Sequence, residues 1–203
     1  MTSVQRWVEV HRLAVAGGEA VIARRVGDRV GRVWLATSRF ADVTRMAEAT
    51  LTLGEDPDAL YHLGWAQRAT GSPAAALTAY ERALQLYRAA GHRGNQAATL
   101  TNIGLVYAGR GQREQALNYY QQALPITREV GNRAGEAVTR FNLAMVYRGQ
   151  GQLDRAVAEL EQVVELDRQI GHPDLESNTA TLEQVRTELH GAIVAGPPDP
   201  GAR

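Results

Sequence analysis

The chain has no cysteine and no lysine among its 203 residues. The first absence removes disulfides, thiolate nucleophiles and cysteine-ligated zinc. The second removes Schiff-base lysines and the phosphate-gripping lysine of P-loops, and leaves all 22 cationic side chains as arginine. No apolar run approaches the ~20 residues that span a bilayer. Near the N-terminus, Arg6, Glu9, His11 and Arg12 interrupt any stretch that could act as a signal-peptide core. A soluble, cytoplasmic protein with no membrane association is expected. Charge of one sign is not in excess either, since 22 acids balance the arginines, whereas a dedicated nucleic-acid binder is usually strongly basic. The balance is uneven along the chain: residues 1–150 hold 18 arginines against 12 acids, and residues 151–203 hold 4 against 10.

What the sequence does contain is a repeat. The stretch from Leu100 to Leu124 returns 40 residues later as Arg140 to Val164, and 40 residues earlier in looser form from Leu60 to Leu84. Gly64, Gly104 and Ala144 keep the same spacing, as do Gly71, Gly111 and Gly151. A fixed period of this size marks an array whose units bury their apolar faces against their neighbours. Within a unit, Leu100, Ile103, Gly104 and Tyr107 fall on one face of a helix, and Ala116, Leu117, Tyr120, Ala123 and Leu124 on one face of a second. The small residues Gly104, Ala116 and Ala123 stand where two helix backbones must approach closely.

Leu100, Ile103-Gly104, Tyr107, Ala116, Tyr120 and Ala123-Leu124 occupy the places that define the tetratricopeptide repeat, which this chain resembles over residues 56–171 and more loosely over 24–55. The connectors Gly91–Ala97 and Gly131–Ala137 lengthen the unit to 40 residues, a form similar to kinesin light chains, to adaptors of spindle-orientation proteins and to the helical arms of bacterial signalling proteins. The resemblance implies an all-α fold, a right-handed α-solenoid of helix-turn-helix repeats closed by a C-terminal capping helix. The expected divisions are an N-terminal helix within 1–23, either a cap or the remnant of a preceding repeat, a degenerate repeat in 24–55, full repeats in 56–92, 93–132 and 133–171, a capping helix in 172–190 and a disordered tail in 191–203.

Residues 20–50 admit two registers. In one, Val30-Gly31 takes the Leu-Gly place and Ser38-Arg39 forms the turn. In the other, Gly27-Asp-Arg29 is a connector and the repeat is incomplete. Asp56-Pro57 and Ser72-Pro73 each read as an N-cap followed by proline at the first helical position. Pro125 should bend its helix or end the regular ladder there.

In such an array the leading helix of each hairpin lines a concave surface. The side chains pointing away from the partner helix there are Tyr61, His62, Trp65 and Arg68, then Asn102 and Leu105, then Phe141, Asn142, Met145 and Arg148, with Arg25, Arg29 and Arg32 contributed by the first repeat. Asn102 and Asn142 hold equivalent places, and a carboxamide can pair with both the N–H and the C=O of an extended peptide. The resemblance implies that role for them; a solvated face is the plain alternative. Tyr61, Trp65, Phe141 and Met145 are candidate anchors, unless they pack on their own hairpin. The arginines would make the groove positive and favour an acidic segment or a free C-terminal carboxylate.

The function expected is therefore a non-catalytic scaffold for a protein or peptide ligand, with no cofactor, metal or nucleic acid. A regulatory or self-associating module of a bacterial signalling protein or transcriptional regulator is the alternative. Groove-based catalysis or small-molecule binding has little to recommend it: the five histidines are scattered, and Gly109-Arg-Gly111 lacks the strand and lysine of a phosphate loop. His92, Asn132 and His172 share one connector place and read as turn residues.

Overall fold

The computed structural model describes residues 3–195. Ten helices follow one another: α1 (Ser3–Ala16), α2 (Ala20–Ala36), α3 (Phe40–Leu51), α4 (Pro57–Ala69), α5 (Pro73–Ala89), α6 (Arg93–Gly109), α7 (Arg113–Glu129), α8 (Arg133–Gly149), α9 (Leu153–Ile170) and α10 (Leu175–Ala195). No strand occurs among the described residues. The chain divides into two compact units, Met1–Val106 and Tyr107–Arg203.

In the first unit α1 packs on α2, α2 on α3 and α4, and α4 on α3 and α5. Its core gathers Val26, Val30, Trp34, Leu35, Val43, Met46 and Ala66, with Val4, Val8, Phe40 and Trp65 packed against it. In the second unit α7 packs on α8, α8 on α9 and α9 on α10. There Tyr120, Leu143, Leu160, Val163 and Val185 are fully buried. Burial of large apolar groups at intervals of three and four holds each hairpin together, because it recovers about 1.5–3 kcal/mol per side chain.

Two crossings depend on a missing side chain. A Cβ on Gly64 would stand 2.8 Å from the ring of buried Tyr80, so only glycine lets α4 and α5 meet here. A Cβ on Gly31 would stand 2.5 Å from Nδ1 of His62, which fixes how closely α2 approaches α4.

The turn between α2 and α3 contains Ser38 in the left-handed region at φ 57°, where the later hairpin turns carry Gly71, Gly111 and Gly151. The first hairpin thus follows the register with Val30-Gly31 in the Leu-Gly place, and α2 begins earlier than expected, at Ala20. Asp56 caps α4 by accepting from the Ala59 amide at 2.8 Å. Ser72 does not cap α5 through its side chain, contrary to expectation; Pro73 alone marks that start. Asn132 caps α8, accepting from Gly135 N at 2.9 Å, and His172 Nδ1 accepts from Asp174 N at 3.2 Å, which are turn roles.

α7 continues through Pro125. The carbonyl that proline cannot serve belongs to Gln121, an exposed residue. α10 runs to Ala195 instead of stopping at 190, because Ala192-Ile-Val-Ala195 offers no breaker before Gly196-Pro197. The remaining part of the expected tail, 196–203, lies outside the described residues. Leu182 and Val185 of α10 are buried, as a capping helix requires.

Candidate functional site

The first unit contains an open cleft of about 390 Å³, a size within the usual range for ligand pockets. Its walls come from the leading helices: Asp28, Arg32 and Leu35 on α2, Asp58, Tyr61, His62 and Trp65 on α4, and Asn95 and Ala98 on α6. Tyr87 of α5 closes one side. The helical spacing of 58, 61, 62 and 65 puts all four α4 side chains on one face.

The aromatic wall is ordered by its own contacts. Tyr61 meets Trp65 edge-on, with ring centres 6.2 Å apart, and lies 5.8 Å from Tyr80. Its hydroxyl accepts from Nδ2 of Asn102 at 2.9 Å. Burial raises its pKa above the usual tyrosine value. Trp65 is half-buried, with one part packed on the core and another facing the cleft.

The polar wall is more acidic than expected. Tyr87 donates from its hydroxyl to Oδ1 of Asp58 at 2.6 Å, and Asn95 Nδ2 reaches the same oxygen at 3.3 Å. Asp28 pairs with Arg32 at 2.7 Å. Burial raises the pKa of Asp28, with Asp58 and Asp56 adding in the same direction and Arg32 opposing. His62 is only 5% exposed, and its Nε2 lies 3.7 Å from Oδ1 of Asp28, beyond hydrogen-bond reach. Burial holds its pKa down to about 4, so the ring is neutral at pH 7.

Of the residues expected to act together, the structure brings Tyr61, His62, Trp65 and Arg32 into this one cleft. Asn102 is half-buried beside it, but both of its amide protons are committed, one to Tyr61 and one to the Ala98 carbonyl. Leu105 is half-buried and outside the lining. His62 is sunk into the cleft wall and does not stand free in the groove, because Gly31 gives its ring room to settle between α2 and α4.

The arginines expected in the groove are dispersed. Arg25 is exposed and outside the lining, and Arg29 turns away to stack over Trp7 of α1 at 5.0 Å. Arg68 is half-buried, and its charge acts on Tyr61 and Tyr80. In the second unit Phe141 and Asn142 line a separate hollow of about 270 Å³ with Val138, Asp167 and Asn178. Met145 is half-buried there, and Arg148 is taken up by Glu188 of α10 at 2.9 Å.

Asp58, Tyr87 and Asn95 escaped the sequence reading. In the sequence Asp58 falls in a capping stretch and Asn95 in a connector, although α4 and α6 carry both to the cleft, and Tyr87 stands on a trailing helix. One signal was available: places 58, 98, 138 and 178 carry Asp, Ala, Val and Asn, the irregularity of positions released from core packing.

Hairpins of paired helices around a shared core, with the cleft on the leading helices, define a helical-repeat protein. Two family models, both described as tetratricopeptide repeat, match residues 57–90 and 95–169, and the chain belongs to that family. The apo form of RapI is similar at 15% identity, with a TM-score of 0.70 over 87% of this chain and 51% of that one. BtubC from P. vanneervenii is 16% identical with a TM-score of 0.64, covering 100% of this chain and 97% of its own. A putative kinesin light chain of Podosopora anserina with nearly identical TPR-like repeats is 18% identical, with a TM-score of 0.62 over 81% and 87% of the two chains. The chain therefore spans about half the length of RapI and nearly all of BtubC. These likenesses show the fold. No curated protein matches the chain.

Proposed function

We propose that the chain is a non-catalytic protein-interaction module whose first-unit cleft holds an extended segment of a partner protein. The observation that carries this is the open cleft itself, floored by Tyr61 and Trp65 and rimmed by polar groups, the composition of an anchor pocket. Membership of a repeat family whose members bind peptide or protein partners supports it. Asn102 takes part as a support for Tyr61, and its Oδ1 is the atom that can accept a ligand N–H. Among the described residues no helix is long and apolar enough to cross a membrane, and a cytoplasmic location goes with the reading.

The test is a selection of randomised decapeptides on the immobilised protein, followed by calorimetry of the enriched sequences. Trp65→Ala should weaken binding by ten-fold or more while the helical circular-dichroism signal persists. Equal affinity in the variant would remove the cleft from the reading.

A second reading, self-association, draws on the exposed Trp7, Val10 and Leu13 of α1, at 37%, 39% and 55%. Light scattering over a range of concentration and salt decides it, a monomer throughout counting against it.

A further inference from the structure

We propose that the cleft selects for a cationic side chain of its partner, an arginine or lysine flanked by apolar residues, which seats against Asp58. This rests on the peptide-binding reading above and gives it a charge.

Asp58 carries the argument. It is half-buried in the wall of the cleft and makes no ion pair among the described residues. Both hydrogen bonds it accepts, from Tyr87 and Asn95, fall on Oδ1, so Oδ2 has no partner among the described residues. A carboxylate offers about four acceptor sites, and a half-buried one with a free oxygen still lacks the cation that would offset its lost hydration. Neither Tyr87 nor Asn95 brings a charge, so they aim the carboxylate and leave its charge in place.

Two neighbours point the same way. Asp28 lines the cleft and is close enough to act electrostatically on Asp58; the arginine that pairs with it, Arg32, lies at the rim with its side chain 68% exposed. His62 is buried, lines the cleft and makes no hydrogen bond among the described residues. As a neutral ring it can accept an N–H at Nε2, the kind of donor that a guanidinium or ammonium group supplies. Tyr61, Trp65 and Tyr87 provide faces along which the apolar stem of such a side chain can lie and over which its charge is favoured. An acidic segment meets the reverse conditions, since it would add a further negative charge beside Asp58 and Asp28.

The experiment uses the whole chain. Random capped decapeptides are selected on it, and the enriched pool is compared with one selected on Asp58→Asn, which keeps the acceptor for Tyr87 and removes the charge. Asp28→Asn serves as a second variant should the first fold poorly. Enrichment of arginine or lysine beside apolar residues is expected, with at least ten-fold loss of affinity on replacing that cation by glutamine, and the same loss in Asp58→Asn. An enriched pool that is acidic or neutral overturns the charge preference and leaves the binding reading standing. A basic pool indifferent to both variants places its binding elsewhere and overturns the preference too. No enrichment on the wild-type protein overturns both.

Discussion

His62 makes the stability of this protein depend on pH in a calculable way. Its pKa falls from the ordinary 6.5 to about 4 because burial between α2 and α4 penalises the charged ring. In the unfolded chain the imidazole takes up a proton below about 6.5, whereas in the folded chain it does so only near 4. Above pH 6.5 the group contributes nothing to the pH dependence. As the pH falls through the window from 6.5 to 4, the unfolded state binds the extra proton and stability drops. At about 1.36 kcal/mol per pKa unit the full loss is about 3.4 kcal/mol, and about 2 kcal/mol of it is already present at pH 5. Burial lowers the pKa of His11 with the same sign, while the raised values of Asp28 and Asp56 act oppositely, so the wild-type slope alone is a mixture. The informative quantity is a difference. His62→Asn introduces the residue found at the matching places 102 and 142 and leaves the other groups in position. Urea unfolding of both proteins at pH 7.5 and pH 5 should show the wild type losing about 2 kcal/mol more than the variant. Parallel loss in the two proteins would refute the claim that this ring is buried and neutral.

Four further perturbations follow from the packing and the backbone. Gly31→Ala should destabilise by about 1–3 kcal/mol, since the new methyl meets the His62 ring and overpacking outweighs the gain in helix propensity. Gly94→Ala, with nothing near its added carbon, should instead stabilise α6 by up to about 1 kcal/mol; thermal melts of the two variants should move in opposite directions. Arg140, whose side chain is 6% exposed, bonds Glu136 at 2.9 Å and also pairs with Glu159, a carboxyl that burial already pushes up. Arg140→Ala should therefore cost about 3–5 kcal/mol, much of it recovered on adding Glu159→Gln, as read by a double-mutant cycle in urea. Ser38→Gly should raise stability by up to about 1 kcal/mol, because a left-handed serine costs about 1–2 kcal/mol and the added flexibility returns part of that.

The fold was legible because its period was. Packing two helices at a fixed distance forces small residues to the crossings and large ones beside them, so the spacing of Gly64, Gly104 and Ala144 already implied the hairpins. The first hairpin was harder, since Ser38 stands where the other turns have glycine and only the chain geometry separates its two registers. The site was half legible. Helical spacing found Tyr61, Trp65 and Arg32 but not which arginines stay free, because an arginine on a long flexible stem is claimed by whatever lies in reach: Asp28 takes Arg32, Trp7 takes Arg29 and Glu188 takes Arg148. The last two pairings join distant parts of the sequence, and neither composition nor period records them.

Core places and cleft places of the repeat answer to different constraints. At core places the repeats agree, with Ala76, Ala116 and Ala156 all fully buried, and Tyr80, Tyr120 and Leu160 likewise, since a change in volume there is felt by every neighbour. At the places matching the cleft residues they disagree: Leu105 and Met145 stand where Trp65 does, Asn102 and Asn142 where His62 does, and Thr127 and Asp167 where Tyr87 does. A position whose neighbours differ from one repeat to the next is free to differ too, and a ligand is a further constraint that can decide what stands there. The pair formed by Tyr87 and Asp58 occurs once in the array and lies in the wall of the 390 Å³ cleft. Specificity is therefore to be sought in the departures from the repeat, beginning with that carboxylate.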